Sequence, residues 1–300
     1  MHNWIKGMSS AILFGANGYL GRHIAYFLKQ NQIVFIPTDI AEASIDHHPN
    51  YKKIDITSKD DLQQLDFNID YIFAFAGLTG TGSAPEIVDK FTKVNEQGLA
   101  NIIECCEGIK GLRIIFPSTR LVYKGIKNTP LKEDSEKESK TIYAQNKLTC
   151  EDMLVKSSVD YTIFRICVPY GNLFDKEYSY GTIGFFINKA INKENITVYG
   201  DGSLKRTFTH VRDIAQPILD ALKLKPTINQ IYNIGSKDAL SLLEVANLVA
   251  FKYGVKVEFI DWPEEALKIE SGDTIFNDEK LQKEIKYNYQ HSLSQWVNEI

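Results

Sequence analysis

Tyr143 and Lys147 stand four residues apart in the segment TIYAQNKL, within a helical pattern at 141–157. Residues at positions i and i+4 lie on one face of a helix, so the phenol and the ammonium are expected to be neighbours. A phenol has a pKa of about 10 and is a poor base at neutral pH, but a nearby positive charge stabilises the phenolate and lowers that pKa. The pair therefore predicts proton transfer, with Tyr143 as the acid or base.

Two hydroxyls are candidates for holding the substrate oxygen. Ser118 and Thr119 come just past a predicted strand at 112–116. Ligands of open α/β sheets bind outside the carboxyl ends of the strands, where this pair is expected to lie. The spacing Y-x-x-x-K is common by chance, and the alternative is that Tyr143 packs while Lys147 is solvated. A glycine-rich turn upstream favours the catalytic interpretation.

That turn contains Gly15, Gly18 and Gly21, between a predicted strand at 10–14 and a predicted helix at 19–30. The first glycine permits the unusual backbone angles of a tight turn. The second leaves room for a pyrophosphate, and the third lets the helix pack closely on the sheet. Free N–H groups at the helix start favour phosphate. The turn predicts a dinucleotide cofactor, and an ordinary turn is the alternative.

An acid selects between the two nicotinamide dinucleotides. Asp39 follows a predicted strand at 33–36, and a carboxylate there accepts hydrogen bonds from ribose hydroxyls and repels a 2′-phosphate. This favours NAD over NADP, although Arg22 is a cation that could help to hold a 2′-phosphate. Asp55, in KKIDIT at the end of a third strand, is expected near the adenine.

Apolar strands and helices alternate over the first 170 residues. The predicted strands are 10–14, 33–36, 70–76, 112–116 and 161–166, and the predicted helices are 19–30, 59–65, 85–107 and 141–157. Strands that are apolar throughout and joined by helices form parallel sheets covered on both faces. The fold class predicted is α/β, a doubly wound parallel sheet of the Rossmann type. A dinucleotide-binding domain at 1–170 and a smaller substrate-binding lobe at 171–300, with some return to the sheet domain, are expected.

The composition is that of a globular protein, with 44% hydrophobic and 24% charged residues and a net charge of −4. A basic block is absent from the sequence, which argues against nucleic acid as a partner. We expect no membrane span and no secretory signal, since MHNWIKGMSS has no apolar core. The cysteines lack metal-ligand spacing, so no metal is expected. Reduced thiols and a cytoplasmic location are expected for Cys105, Cys106, Cys150 and Cys167.

Together these segments resemble the extended short-chain dehydrogenase/reductase family, in its NAD-dependent epimerase/dehydratase group that acts on nucleotide sugars. The resemblance covers nearly the whole chain. The matching segments are GANGYLG (15–21), FAFAG (Phe73–Gly77), KVNEQG around Asn95, PSTRLVY (117–123), the acidic loop and helix EDSEKESKTIYAQNKL, FRICVPYG (164–171) and VYGDGSLKRTFTHVRDIA (198–215). The last segment is the most specific of them.

The resemblance implies NAD as cofactor and a nucleotide sugar as substrate. With the acids noted above, the cofactor-binding residues would be Gly15, Asn17, Gly18, Tyr19, Leu20, Gly21, Asp39, Asp55, Ile56, Phe75, Ala76, Gly77, Asn95, Tyr143 and Lys147. Thr119 falls at the family's catalytic Ser/Thr position, beside Ser118. The implied substrate-binding residues are Thr119, Arg120, Tyr170 and Arg206, of which Arg206 matches the position that contacts the diphosphate.

Two departures from the family pattern bear on the reaction. Val168 stands where many relatives have an asparagine near the substrate phosphates. The triplet Thr119-Arg120-Leu121 replaces the T-D-E of 4,6-dehydratases, so the acid and base for dehydration are missing. Arg120 either points at the substrate or pairs with a loop acid.

These observations predict a nucleotide-sugar epimerase that moves hydride at sugar C4 through a 4-keto intermediate. A 4-ketoreductase uses the same residues for one half-reaction and is the alternative. A dinucleotide sensor without catalysis and a reductase of a non-sugar ketone are further alternatives. Relatives pair the helices equivalent to 85–107 and 141–157, which implies a homodimer.

Overall fold

The computed structural model describes residues 9–174 and 180–300. Residues 1–8, most of the stretch in which no secretory signal was expected, lie outside the described part. The helices are α1 Tyr19–Gln30, α2 Lys59–Leu62, α3 Pro85–Phe91, α4 Gly98–Cys106, α5 Ile142–Lys156, α6 Gly181–Ile191, α7 Val211–Leu222, α8 Leu242–Tyr253, α9 Glu264–Ile269, α10 Glu279–Ile285 and α11 Leu293–Glu299.

Most strands are short. They are β1 Ser10–Phe14, β2 Val34–Asp39, β3 Lys52–Lys53, β4 Tyr71–Ala74, β5 Arg113–Thr119, β6 Pro130–Leu131, β7 Asp160–Ile166, β8 Val168–Tyr170, β9 Ile196–Tyr199, β10 Lys205–His210, β11 Gln230–Ile234, β12 Ala239–Ser241, β13 Val257–Ile260 and β14 Ile275–Phe276.

A seven-stranded sheet forms the centre of the fold, in the order β11-β7-β5-β4-β1-β2-β3. The pairs β1–β2, β1–β4, β2–β3 and β4–β5 are parallel. The strand order reverses beside β1, because β2 lies on one side of it and β4 on the other. Ligands of doubly wound sheets bind at such a reversal. The predicted fold class is confirmed.

The predicted strands are at the right places, with shifted ends. The second continues to Asp39, which is therefore its last residue. The predicted strand at 112–116 continues to Thr119, so that Ser118 and Thr119 belong to the end of β5 and do not follow it. The third strand is only Lys52–Lys53 and ends before Asp55. These shifts keep the site acids and hydroxyls at the carboxyl edge of the sheet.

The predicted helix at 85–107 is divided into three parts. Thr92–Gln97, between α3 and α4, has the wider hydrogen-bonding pattern of a π-helix. Such segments are rare and often mark functional sites. This one contains Asn95, which is buried and hydrogen-bonded to the backbone of Leu78. Propensity alone does not distinguish a π-helical turn from an α-helical one, so the sequence did not predict it.

Two compact units make up the chain. Unit 1 comprises Met1–Val122, Thr141–Arg165 and Ile218–Tyr232, and it contains almost all of the central sheet. Unit 2 comprises Tyr123–Lys140, Ile166–Pro217 and Asn233–Ile300. The chain enters each unit more than once, so they are not separated at a single residue. The expected boundary near residue 170 stays a prediction.

Unit 2 is built from small sheets and helices. Its three-stranded sheet has the order β12-β10-β8, with β10 antiparallel to β12 and parallel to β8. Helix α8 begins with a capping box between Ser241 and Glu244 and ends at Gly254, whose φ of 69° is left-handed.

Over residues 9–174 and 180–300, no helix is both long and apolar enough to cross a lipid bilayer. All four cysteines are free thiols.

Candidate active site

One face of α5 carries three ionisable side chains at successive turns: Tyr143, Lys147 and Glu151. The helix starts there because the Thr141 side chain caps it, accepting a hydrogen bond from the N–H of Ala144 at 3.1 Å. The predicted spacing of Tyr143 and Lys147 is therefore realised on a continuous helix. The Nζ of Lys147 lies 5.8 Å from the centre of the Tyr143 ring.

Lys147 is buried, with 7% of its surface exposed. Its Nζ lies 4.3 Å from the centre of the Phe116 ring, within cation–π range. Burial lowers the pKa of the Lys147 ammonium to about 8, although Cys150 and Glu151 act in the opposite direction. The side chain is thus not the solvated lysine of the alternative interpretation. It is a positive charge held beside a phenol in a place with little water.

Ser118 and Thr119 end β5 in different surroundings. The Ser118 hydroxyl donates to the Glu151 carboxylate, and both side chains are buried. The Thr119 hydroxyl accepts from the N–H of Leu121 at 3.3 Å, at the start of the 3-10 turn Arg120–Val122. Helix α5 packs on β5 and on this turn. Thr119 is the better candidate for holding a substrate oxygen, because Ser118 has its partner inside the protein.

The glycine turn has the geometry that the sequence predicts. Gly15 has a φ of +82°, and a Cβ there would lie 2.5 Å from the N atom of Ala76. A Cβ at Gly21 would lie 1.9 Å from the Gly15 carbonyl oxygen, so only glycine fits either position. Gly18 is the N-cap of α1, and no side chain of the described residues caps that helix start. The N–H groups of Gly15, Ala16 and Gly18 donate to backbone carbonyls, so the N–H groups that suit a pyrophosphate are those of the first turn of α1.

Asp39 lies at the end of the neighbouring strand and is tied to this turn. One carboxylate oxygen accepts from the N–H of Asn17 at 3.0 Å, and the other accepts from the N–H of Ile40 at 2.8 Å. A carboxylate has about four lone-pair sites, so acceptors remain for ribose hydroxyls. Arg22, the cation considered above, donates two hydrogen bonds to Asp46 at 2.9 and 2.8 Å. This pairing weakens the case for Arg22 as a 2′-phosphate ligand.

Asn95 fixes the chain after β4, where Phe75, Ala76 and Gly77 lie. Its side-chain oxygen accepts from the N–H of Leu78 at 2.7 Å, and its amide nitrogen donates to the Leu78 carbonyl at 3.1 Å. A Cβ at Gly77 would lie 3.0 Å from the same side-chain oxygen. Asn95 thus holds the loop after β4 against the π-helical segment Thr92–Gln97, and its own side chain is buried. We expect its contribution to cofactor binding to be the positioning of this loop.

A small cavity of about 10 Å³ brings several of the predicted residues together. Ile56, Ala76, Asn95 and Lys147 line it, with Phe116. It therefore lies between the loop after β4 and helix α5, within unit 1. Asp55 is not among the residues that line this cavity, and one of its carboxylate oxygens accepts from both the N–H and the hydroxyl of Thr57 at 2.8 Å. Its expected place near the adenine stays a prediction.

The other predicted substrate residues belong to both units. Arg120 is half-buried at the start of the turn after β5, in unit 1. Tyr170 is fully buried in unit 2, against Trp296 and His210, and its hydroxyl donates to the His291 carbonyl at 3.2 Å. Tyr170 could touch substrate only if these neighbours moved. The structure gives it the contacts of a packing residue.

Arg206 lies on β10 in unit 2 and is 8% exposed. Its Nη2 donates to the Glu270 carboxylate at 2.7 Å. Its Nε is buried and has no hydrogen-bond partner among the described residues. A buried guanidinium with an unused N–H group is a costly arrangement, and an anion could satisfy it.

The sequence analysis missed several polar residues that lie beside the predicted site residues and hydrogen-bond to them or to their neighbours. The most important is Glu151, which accepts from Arg165 as well as from Ser118. Its position continues the four-residue spacing of Tyr143 and Lys147, and that spacing was an available signal. Asn146, which donates to Glu96 and receives from Asn95, was also missed. The pairing of Glu270 with Arg206 joins residues 64 positions apart, and no local pattern predicts it.

Comparison with known proteins agrees with this geometry. The model of the NAD dependent epimerase/dehydratase family matches residues 11–235. UDP-N-acetyl-alpha-D-glucosaminuronate decarboxylase of Bacillus cytotoxicus is 30% identical over 254 residues, which are 78% of this chain and 77% of that one. UDP-glucose 4-epimerase of Streptomyces lividans is 23% identical, with 79% of each chain covered. In fold, the chain resembles UDP-glucose 4-epimerase of Thermus thermophilus, solved with NAD, at a TM-score of 0.84, 19% identity and 96% coverage of each chain.

Proposed function

Because the chain belongs to the NAD dependent epimerase/dehydratase family, we propose that it is a nucleotide-sugar 4-epimerase. It would oxidise the C4 hydroxyl of a nucleotide-linked hexose and reduce the resulting 4-keto sugar from its other face. The observation that carries the proposal is the buried Lys147 beside Tyr143 on α5, with Nζ 5.8 Å from the ring centre. A sensor that only binds a dinucleotide has no need of this pair.

Each of the predicted site residues in unit 1 would have its own role in this reaction. Tyr143 would take the proton of the 4-hydroxyl, and Lys147 would stabilise the phenolate by its charge. Thr119, at the end of β5, would hydrogen-bond the same substrate oxygen. NAD, the cofactor of the family, would accept the hydride from C4 and return it. The glycine turn and Asp39 fit NAD, since one offers N–H groups to phosphate and the other offers acceptors to ribose hydroxyls.

The substrate class is supported by Arg206 in unit 2. Its buried and unpartnered Nε suits a group with several anionic oxygens, such as a diphosphate. Dehydration is not proposed, because Arg120 and Leu121 follow Thr119 where dehydratases carry two acids. The 4-ketoreductase remains the second candidate, since the same residues would perform the second half of the epimerase reaction.

One experiment separates these functions. The protein is incubated with UDP- and dTDP-linked hexoses, hexuronates and 4-keto hexoses, with NAD⁺, NADH or NADPH, and the products are identified by NMR. A 4-epimerase converts a C4-deuterated sugar with a catalytic amount of NAD⁺, and the label stays at C4. A 4-ketoreductase leaves the hexoses unchanged and consumes one NADH or NADPH for each 4-keto sugar. The 4-epimerase proposal fails if no nucleotide sugar is converted to its C4 epimer, whether the sugars stay unchanged, a 4-keto sugar is only reduced, or a hexuronate is only decarboxylated.

A further inference from the structure

The Arg206 guanidinium in unit 2 is held by a carboxylate of the same unit. Glu270 accepts from its Nη2 at 2.7 Å, and the other carboxylate oxygen accepts from the N–H of Gly272 at 3.0 Å. Both side chains are largely buried, with 10% and 14% of their surfaces exposed. A buried cation without an anion is strongly unfavourable, so Glu270 compensates for the burial of Arg206.

This compensation is incomplete. The contact uses one N–H group of the guanidinium, and the buried Nε has no partner among the described residues. The hydroxyl of Ser271, next to Glu270, is also buried and likewise has no partner among them. Buried donors are almost always satisfied in folded proteins. An unpartnered Nε on the arginine of a buried ion pair indicates a position that can take a ligand with more acceptors than a carboxylate has.

The charges around Arg206 give a diphosphate no net attraction as long as Glu270 remains. The Nζ of Lys140 donates to the Glu270 carbonyl at 2.7 Å and pairs with Glu138 at 3.4 Å. The four charges of Arg206, Lys140, Glu138 and Glu270 sum to zero. A diphosphate brings at least about two negative charges to this neutral group, so it gains attraction only if a carboxylate withdraws.

Glu270 lies between an exposed helix and a segment of the chain that is held in place. It follows α9, and none of the six residues of that helix is buried. The residues after it are fixed, because Asp273 accepts from the N–H groups of both Asn128 and Lys205 at 2.8 Å. The backbone of Glu270 and Ser271 is held as well, by Lys140 and Gly125. Because α9 has few buried contacts, the Glu270 side chain can turn away from Arg206 on that side while the backbone stays in place.

We propose that Glu270 is an internal occupant of the anion site at Arg206, and that the diphosphate of the substrate displaces it. This inference rests on the proposed function, since it concerns the site that would bind the nucleotide diphosphate. Glu270 keeps the arginine paired when no substrate is bound and sets the affinity for the diphosphate. The diphosphate replaces one hydrogen bond by a bidentate contact that includes Nε.

The test is the binding of inorganic pyrophosphate, measured by calorimetry without divalent cations. Glu270→Gln keeps the side-chain shape and removes its charge, and we expect it to bind pyrophosphate at least about 5-fold more tightly than the wild type. Arg206→Ala should bind at least about 10-fold more weakly. Glu265→Gln is the matched control, because Glu265 is an exposed acid of α9 that pairs with Lys268 and loses the same charge. It should bind as the wild type does.

Equal or weaker binding by Glu270→Gln overturns the inference, and so does an equal gain in Glu265→Gln or no detectable pyrophosphate binding by any variant. A second readout covers folding. Without ligand, Glu270→Gln should have a lower Tm than the wild type, and pyrophosphate should raise its Tm by more. The two proposals fail separately: tighter pyrophosphate binding with no nucleotide sugar converted removes the proposed function, and conversion with unchanged pyrophosphate binding removes this one.

Discussion

The carboxylate of Glu151 accepts two hydrogen bonds from the guanidinium of Arg165, at 3.0 and 2.6 Å, inside unit 1. The pair joins α5 to β7, and Ser118 joins it to β5 through its hydroxyl. Glu151 is one turn beyond Lys147, so its charge also acts on that ammonium. The pair therefore fixes the helix that carries the proposed catalytic residues relative to the strand that ends in Thr119.

Breaking this pair on one side should be costly. Glu151→Gln leaves a buried guanidinium without a counter-charge, and we expect a loss of about 3–5 kcal/mol in the free energy of unfolding, measured in urea. The double variant Glu151→Leu with Arg165→Met removes both charges and should lose much less. Asp152→Asn is the control, because its pair with Lys156 on the same helix is exposed and should contribute under about 1 kcal/mol. Equal losses in the free energy of unfolding for Glu151→Gln and Asp152→Asn would contradict this account.

The sequence was sufficient for most of the central sheet because the inner strands of this sheet are largely apolar and the turn glycines have no substitute. Ser10–Phe14 is buried along its whole length, and Gly15 and Gly21 tolerate no Cβ. Such constraints are local, so they can be read from a few adjacent residues. The same holds for Tyr143 and Lys147, since a helix determines which residues share a face.

The polar partners could not be predicted in this way. Ser118 has the same residue type as a catalytic hydroxyl, and only the fold places Glu151 beside it, 33 residues away in sequence. Arg206 was assigned to a diphosphate, whereas its contact with Glu270 depends on a loop 64 residues further along. Which distant charges pair depends on which strands and loops are adjacent in the fold, and this cannot be predicted from composition or from local sequence patterns.

Tyr143→Phe should remove the proton carrier and keep the ring. We expect turnover of the nucleotide sugar to fall at least about 100-fold, the lower range for the loss of an acid–base group. The affinity for NADH, measured by fluorescence titration, should change little. Tyr253→Phe on α8 is the control and should retain full activity. Near-normal turnover by Tyr143→Phe would show that another group carries the proton.

Asp39 should make the protein prefer NADH over NADPH. Its carboxylate would repel the 2′-phosphate, and Arg22 is already paired with Asp46. Asp39→Asn removes the charge and keeps an oxygen for the N–H of Asn17, so the ratio of the two dissociation constants should move toward one. Asp66→Asn, at an exposed loop acid, should leave the ratio unchanged. Tighter NADPH binding by the wild type would refute the assignment and favour the ketoreductase.

A two-fold symmetric dimer is expected through the helices at 85–107 and 141–157. Val155 lies on α5 and is 50% exposed, so it is a candidate apolar contact with a partner helix. Sedimentation at micromolar concentration should give a dimer for the wild type and a larger monomer fraction for Val155→Glu. Phe251→Glu, at an 89% exposed residue of α8, should remain dimeric. A wild-type monomer at this concentration would end the dimer hypothesis.

Lys147 should limit activity at high pH. Burial lowers the pKa of its ammonium to about 8, and only the charged form stabilises the phenolate of Tyr143. We therefore expect kcat/KM to decline as the pH rises through about 8. Lys147→Arg should have a lower rate throughout, since its geometry differs, but no decline in this range because a guanidinium stays protonated. If kcat/KM of Lys147→Arg declines in the same way, the decline arises from the titration of a group other than Lys147.

The same ionisation should change stability in the opposite direction. In the unfolded chain Lys147 keeps its proton up to a pKa of 10.5, whereas in the folded protein it releases it near 8. Between these values the unfolded state binds more protons, so the free energy of unfolding should rise with pH. The contribution is on the order of 3 kcal/mol across that window. Urea unfolding of Lys147→Met, compared with the wild type at several pH values, isolates it, because the other titrating groups are common to both proteins. Parallel curves for the two proteins would mean that folding does not lower the pKa of Lys147, and a decline of kcat/KM near pH 8 would then have to come from another group.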